Sequence, residues 1–217
     1  PSAFQIQISA SLAIPERCGA ILLPKATLFP QGVMPLHIFE PRYRQMLDDA
    51  LESHCMICVG TLTQNETEDP NECTAKTGTI GLIRVSKEQE DGGSNLILHG
   101  ILRVDFTNWL EENEYPYATI EPSPSIPIPE YEIDQVKATL HDALYLALKN
   151  FPDTIVDRIK KSLAQADSSS SALADVVAQQ FVVDPDKRRE LLAEPDIKKR
   201  FEMLTREIGQ EDWGSAN

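Results

Sequence analysis

Along residues 33–51 the spacing of apolar positions changes once. Val33, Leu36, Ile38 and Phe39 form a short apolar run interrupted by Pro35. The run reads as a buried strand, and the proline places it at a sheet edge or in a bulge, because proline has no amide to give to a ladder. Glu40-Pro41 then switches the period. Proline suits the first helical turn, where its missing N–H costs nothing. Tyr43, Met46, Leu47, Ala50 and Leu51 recur at spacings of three and four, which predicts a helix from Pro41 to about Glu52 with one apolar face. Arg42, Arg44, Asp48, Asp49 and Glu52 fall on its remaining surface.

Downstream of that helix, HCMICVGTL reads as a strand, and Gln64–Lys76 as a polar, acidic loop. Two β-rich runs then flank Asp91-Gly92-Gly93-Ser94, a turn signal because glycine takes positive φ without strain. Ile80, Leu82 and Val85 supply apolar positions on the first run. Leu96, Leu98, Ile101, Val104 and Phe106 supply them on the second. Residues 122–130, PSPSIPIPE, cannot form a central strand or a helix and should run extended. After them the period turns helical. Ile133, Val136, Leu140, Leu144, Leu148 and Phe151 make one stripe, Ile155, Ile159 and Leu163 a second, Leu173, Val176, Val177 and Phe181 a third. Asp184-Pro185 looks like an N-cap followed by proline at N1. Pro195 closes that helix, and Ile197, Phe201, Leu204 and Ile208 line a last one. The division expected is therefore a β-rich part at 1–121, a proline-rich linker at 122–130 and a helical bundle at 131–217, an α+β chain with strands before helices.

Three stretches resemble the Lon protease N-terminal, substrate-binding domain. LHIFEPRYRQML, residues 36–47, is similar to that family's signature. Gly78, the Asn95–Leu98 run, Gly100, Arg103 and Phe106 sit where the family's central hairpin has them. The tail from Asp184 to Ile208 is similar to the family's helical end. The resemblance implies a PUA-like twisted β-barrel in front, with the helical bundle behind it. It also implies a function: recognition of polypeptide substrates or of a protein partner. A Lon protease continues into ATPase and peptidase modules, whereas this sequence ends at Asn217, so the expectation is a stand-alone, non-catalytic recognition module. The alternative implied by PUA-like folds is an RNA-associated binding protein.

Charge bears on that choice. The 217 residues carry a net charge of −14, with an acidic excess in both halves. Such a surface repels phosphate backbones and anionic membranes, because affinity for both comes from cationic neutralisation. The clusters Lys187-Arg188-Arg189 and Lys198-Lys199-Arg200 are interleaved with Glu190, Glu194 and Glu202 and read as solvated helix faces with local ion pairs. A polypeptide partner is therefore expected, with no nucleic acid and no membrane. There is no apolar run of about 18 residues. Residues 1–20 lack the basic start of a signal peptide. The expected location is the cytoplasm.

Candidate chemistry is sparse. Cys55-Met56-Ile57-Cys58 has zinc-ligand spacing but no second pair of ligands. In a strand, an offset of three also sends the two side chains to opposite faces. Cys18, Cys55, Cys58 and Cys73 are expected to be free thiols, and His37, His54, His99 and His141 are scattered. No phosphate-cradling loop, nucleophile elbow or H-E-x-x-H occurs. Ser168–Ser171 reads as a loop or helix cap. No catalytic, cofactor-binding or metal-binding residue is therefore expected, and no cofactor.

Overall fold

The computed structural model describes residues 13–63, 69–149 and 151–210. Residues 1–12, within the stretch considered for a signal peptide, and 64–68, the start of the acidic loop, lie outside the described residues. Six strands come first: β1 (Arg17–Pro24), β2 (Val33–Ile38), β3 (Met56–Leu62), β4 (Thr77–Glu88), β5 (Ser94–Leu110) and β6 (Tyr117–Pro122). Helix α1 (Pro41–Glu52) lies between β2 and β3, and a single turn, α2 (Pro70–Cys73), between β3 and β4. Five helices follow: α3 (Ile133–Leu148), α4 (Asp153–Ala166), α5 (Ser170–Phe181), α6 (Pro185–Ala193) and α7 (Ile197–Gln210).

The strands hydrogen-bond in the order β2-β5-β4-β3-β1-β6, and β6 also pairs with β5. The length of β5 allows this. Its first part, Ser94–His99, pairs with β2, and its last part, Val104–Leu110, pairs with β6. All neighbours are antiparallel except β1 and β3. The turn between β4 and β5 works as its glycines require. Gly92 has φ of 77°, and Asp91 Oδ1 accepts from the Gly93 amide at 2.9 Å.

Side-chain alternation sorts the strand residues into two cores. Ile21, Ile38, Ile57, Leu96 and Leu98 pack under Tyr43, Met46 and Leu47 of α1. Cys18, Cys58, Ile80, Val104, Phe106 and Ile120 form the other. Helices α3–α7 build a third core around Leu140, Leu173, Val177, Phe201 and Leu204, and Phe29 enters it from the β1–β2 connection.

Two glycines are fixed by close approach. A Cβ on Gly100 would stand 2.2 Å from the Phe29 carbonyl oxygen, and one on Gly78 would stand 2.6 Å from that of Val59. Both lie in the hairpin where the sequence resemblance placed them.

Contacts between strands and helices are polar as well as apolar. Arg103 on β5 holds both carboxylate oxygens of Asp175 on α5, at 2.7 and 2.5 Å, and donates through Nε to the Leu192 carbonyl at 2.9 Å. Between the end of β6 at Pro122 and a single 3-10 turn at Glu130–Glu132, the proline-rich segment forms no helix, and it docks. Ile126 donates to the Pro195 carbonyl and accepts from the Ile197 amide. Asp184 and Ser169 cap α6 and α5 through their side chains, as their positions in the sequence suggest.

The basic clusters divide in a way the sequence does not show. Arg188 turns inward, over the Phe29 ring at 5.1 Å and onto the Thr27 carbonyl at 2.8 Å. Arg200 is 1% exposed and bonded to the Ser125 and Ser171 hydroxyls and the Glu194 carbonyl. Burial, reinforced by Arg103, lowers its guanidinium to about 10. Arg200 is buried and Arg188 half-buried, unlike the solvated faces expected for their clusters. They tie the helices to one another and to the strands.

Candidate functional site

Strand β2 is exposed on one face and buried on the other. Leu36 and Ile38 point toward α1, with Ile38 1% exposed, whereas Val33 is 54% and Phe39 58% exposed. The run was expected to be a buried strand. Only alternate residues are buried, because a strand sends successive side chains to opposite faces.

The register across β2, β5 and β4 extends the exposed face. Pro35 lies opposite Ile97, and Ile97 opposite Val85. Val33 lies opposite His99, and His99 opposite Leu82. His37 lies opposite Asn95, and its Nδ1 is 2.8 Å from Asn95 Oδ1. The His37 and Phe39 rings stack at 5.9 Å, and Arg44 Nε holds the Phe39 carbonyl at 2.8 Å. Val85 is 53% and Ile97 38% exposed. Val33, Pro35, Phe39, Val85 and Ile97 thus form an apolar face of three strands that nothing among the described residues covers. Contiguous exposed apolar surface of this kind marks interaction sites.

The edge of β2 is occupied by Pro35. Gly100 donates its amide to the Gly32 carbonyl at 2.9 Å. Antiparallel ladders alternate from such a pair, so Val33, Pro35 and His37 turn their backbone groups away from β5. The proline sits where a missing amide costs the sheet nothing, and it interrupts the outward row.

On the opposite face, a cleft of about 540 Å³ lies between α1 and β4, with Arg44, Leu47 and Leu51 on one bank and Arg84, Ser86 and Glu88 on the other. A smaller hollow of about 190 Å³ lies between β1, β2 and the start of α1, at Leu22, Leu36 and Tyr43. The Leu22 amide reaches Tyr43 Oη there at 3.5 Å, and burial pushes the Tyr43 hydroxyl up from its ordinary value. A third hollow, of about 310 Å³, lies between α3 and α4 around Leu144, Tyr145 and Leu163.

The Cys55-x-x-Cys58 spacing does not bring its two thiols into one setting. Cys55 precedes β3 in a left-handed conformation, φ 56°, whereas Cys58 lies inside the strand. Cys58 neighbours Cys18, and burial pushes its thiol well above the ordinary value. Among the described residues no three His, Cys, Asp or Glu side chains are placed to hold a metal ion. No helix among them is long and apolar enough to cross a membrane. The arrangement provides apolar contact and open backbone groups, which are means of binding.

Residues 18–210 match the family model described as the ATP-dependent protease La (LON) substrate-binding domain. A Lon protease of Desulfosudis oleivorans is 21% identical over 201 residues, covering 91% of this chain and 24% of the protease. One of Anaeromyxobacter dehalogenans is 24% identical, covering 88% of this chain and 23% of its own length. The chain thus spans about a quarter of the length of these relatives. Among solved structures, the N-terminal domain of the Mycobacterium avium complex Lon protease superposes with a TM-score of 0.72 at 16% identity, covering 90% of this chain and 99% of that one. A Lon N-terminal domain protein from Xanthomonas campestris superposes with a TM-score of 0.61 at 18% identity, covering 88% and 97%.

Proposed function

The chain belongs to the Lon substrate-binding domain family, and on that premise we propose that it is a non-catalytic module that recognises polypeptide segments, acting in the cytoplasm. The single observation that supports this is the uncovered apolar face of Val33, Pro35, Phe39, Val85 and Ile97. A folded protein offers a partner few apolar side chains, whereas an unfolded one offers many, and such a face gains free energy by removing them from water. In this reading the strands form a PUA-like barrel, a reading supported by the return of the pairing from β6 to β5. The helices at 131–217 form a bundle behind the proline-rich linker at 122–130. The matched segment is the substrate-binding one alone, which supports a reading without ATPase or peptidase chemistry. The RNA-associated alternative is not favoured: the matched relatives are proteases, and the net charge is −14.

The test is a titration of a permanently unfolded protein, such as reduced and carboxymethylated α-lactalbumin, followed by fluorescence anisotropy. Binding on the order of 10⁻⁵ M is expected, as for small transient interfaces. It should vary little with salt, because apolar contact is not screened. Phe39→Ser and Ile97→Asp should each weaken it about tenfold. Tight, steeply salt-dependent binding of structured RNA, with no binding of the unfolded protein, would reverse the assignment.

A further inference from the structure

The sheet has a second open edge, and no proline guards it. Strand β4 pairs with β3 only through Thr79–Leu82. Beyond that point the Ile83 amide reaches the Cys55 carbonyl at 2.9 Å, and β3 then has no residue left to offer. Residues 84–88 continue along β5, and among the described residues no strand pairs with their other side, which faces the cleft.

The register fixes which backbone groups face that cleft. Gly100 of β5 turns toward β2, so by alternation Leu98, Leu96 and Ser94 do the same, and His99, Ile97 and Asn95 turn toward β4. Their partners on β4 are Leu82, Val85 and Lys87. A bulge between Ile83 and Val85 resets the phase. Ser86 and Glu88 therefore present both N–H and C=O outward. No hydrogen bond joins either amide to a residue outside the β4–β5 pair among the described residues. Two outward residues two apart, about 6.8 Å along a strand, are the spacing at which an added antiparallel strand bonds.

The far bank suits the side chains of such a strand. Leu47 and Leu51 of α1 line it, and Leu51 is 42% exposed with no apolar neighbour across the cleft but Ile83 and Val85. Charge is balanced there: Arg44 and Arg84 stand against Asp48 and Glu88. Neither arginine has an ion-pair partner among the described residues. In a chain of net charge −14, this cleft is a locally neutral place, fitted to an uncharged segment.

We propose that the outer edge of β4, at Ser86 and Glu88, takes up an extended, uncharged apolar segment of a client polypeptide as an additional strand, with its side chains seated against Leu51 and Ile83. The backbone pairing supplies affinity without demanding a sequence, and these two residues select apolar side chains. The inference rests on the polypeptide-recognition reading and adds to it how the client is held. Val85 belongs to both the cleft and the exposed face, so one client can wrap the edge of β4 and touch both.

The probe is a labelled nine-residue peptide of alternating valine and threonine with a lysine at each end. It is compared with two versions N-methylated on one or the other alternate set of amides. Methylation of one set should weaken binding at least tenfold, and methylation of the other should leave it within twofold, because only one edge of the peptide pairs. Ser86→Pro removes an outward amide, as Pro35 does naturally in β2, so β4–β5 pairing survives, and binding should fall at least tenfold. Should that variant not fold, hydrogen exchange in the unaltered protein reads the same contact: peptide should slow the Ser86 and Glu88 amides. Equal effects of both methylations, or unchanged binding by a folded Ser86→Pro with unchanged exchange, would overturn the proposal. If Phe39→Ser still weakens binding in that case, the recognition reading stands without this edge. If the unaltered protein binds no peptide at all, both fall.

Discussion

Arg103 and Asp175 are 72 residues apart in sequence, and each is at most 5% exposed, yet two short hydrogen bonds join them in a bidentate pair. The pair fastens β5 to α5 at the junction of strands and helices. Burial pushes the Asp175 carboxyl up, and the Arg103 guanidinium pulls it back down. Arg200 lies near enough to act on both. The Arg103 guanidinium bonds the buried carboxylate, and that of Arg200 shares only its field, giving its own donors to serine hydroxyls and backbone carbonyls.

The first prediction follows from that sharing. Asp175→Ala leaves Arg103 buried without its anion, and the expected loss is about 3–5 kcal/mol of unfolding free energy. The double change Arg103→Met with Asp175→Leu should recover a large part of it, because an apolar pair carries no desolvation cost. Urea denaturation of the three proteins measures both. A single variant as stable as the unaltered protein would show that the pair holds nothing.

Gly100→Ala is the second. Its Cβ would meet backbone, the Phe29 carbonyl oxygen at 2.2 Å, and no flexible side chain can yield there. The connection carrying Phe29 must shift, and Phe29 belongs to the helical core. A loss of about 1–3 kcal/mol or more is expected. Gly209→Ala, with nothing within 4 Å of its Cβ, should be neutral or slightly stabilising, since alanine is the better helix former. Thermal denaturation midpoints of the two variants decide the matter.

What the sequence made legible, and what it did not, follows from locality. Helix α1 runs from Pro41 to Glu52, because the proline and the three-and-four spacing are local signals. The caps Asp184 and Ser169 are local too. Arg188 lies between Lys187 and Arg189, and composition alone makes all three a solvated cluster. The helical period turns only the middle one toward Phe29. The junction of Arg103, Asp175 and Arg200 joins residues far apart in the chain, so no window of sequence contains it. The exposed face was half legible. Pro35 announced an edge, but the apolar letters of Val33 and Phe39 suggested burial, and only the register with Ile97 and Val85 shows a face open to solvent. The open edge of β4 had no signal at all, since it results from β3 being shorter than β4.

Stability should depend on pH through two histidines. Burial holds His54 below the ordinary histidine value, and burial with Arg84 does so at His99. The unfolded chain takes up protons near pH 6.5, and the folded chain only at lower pH. Their contribution is therefore complete above about pH 6.5 and is lost as pH falls through the depressed folded values. Between pH 7.5 and pH 5 the unaltered protein should lose more stability than a His54→Gln, His99→Gln variant. Parallel pH profiles of the two would remove the histidines as the cause.

Thiol reactivity gives the last prediction. Cys18 and Cys58 are 0% exposed and Cys73 is 2%, whereas Cys55 lies before β3 and is partly open. The thiolate is the reactive form, and burial pushes the Cys58 thiol well up. Cys58 is thus disfavoured twice, by access and by ionisation. An aromatic disulfide reagent should modify one thiol per chain quickly in the folded protein and four in denaturant. Cys55→Ser should remove the fast phase, and Cys58→Ser should leave it. The spacing Cys55-x-x-Cys58 would require the two to behave together, as a metal site or a linked pair does. A fast phase lost equally in both variants, or absent until a chelator or reductant is added, would restore that pairing and contradict the separation of Cys55 from the strand that buries Cys58.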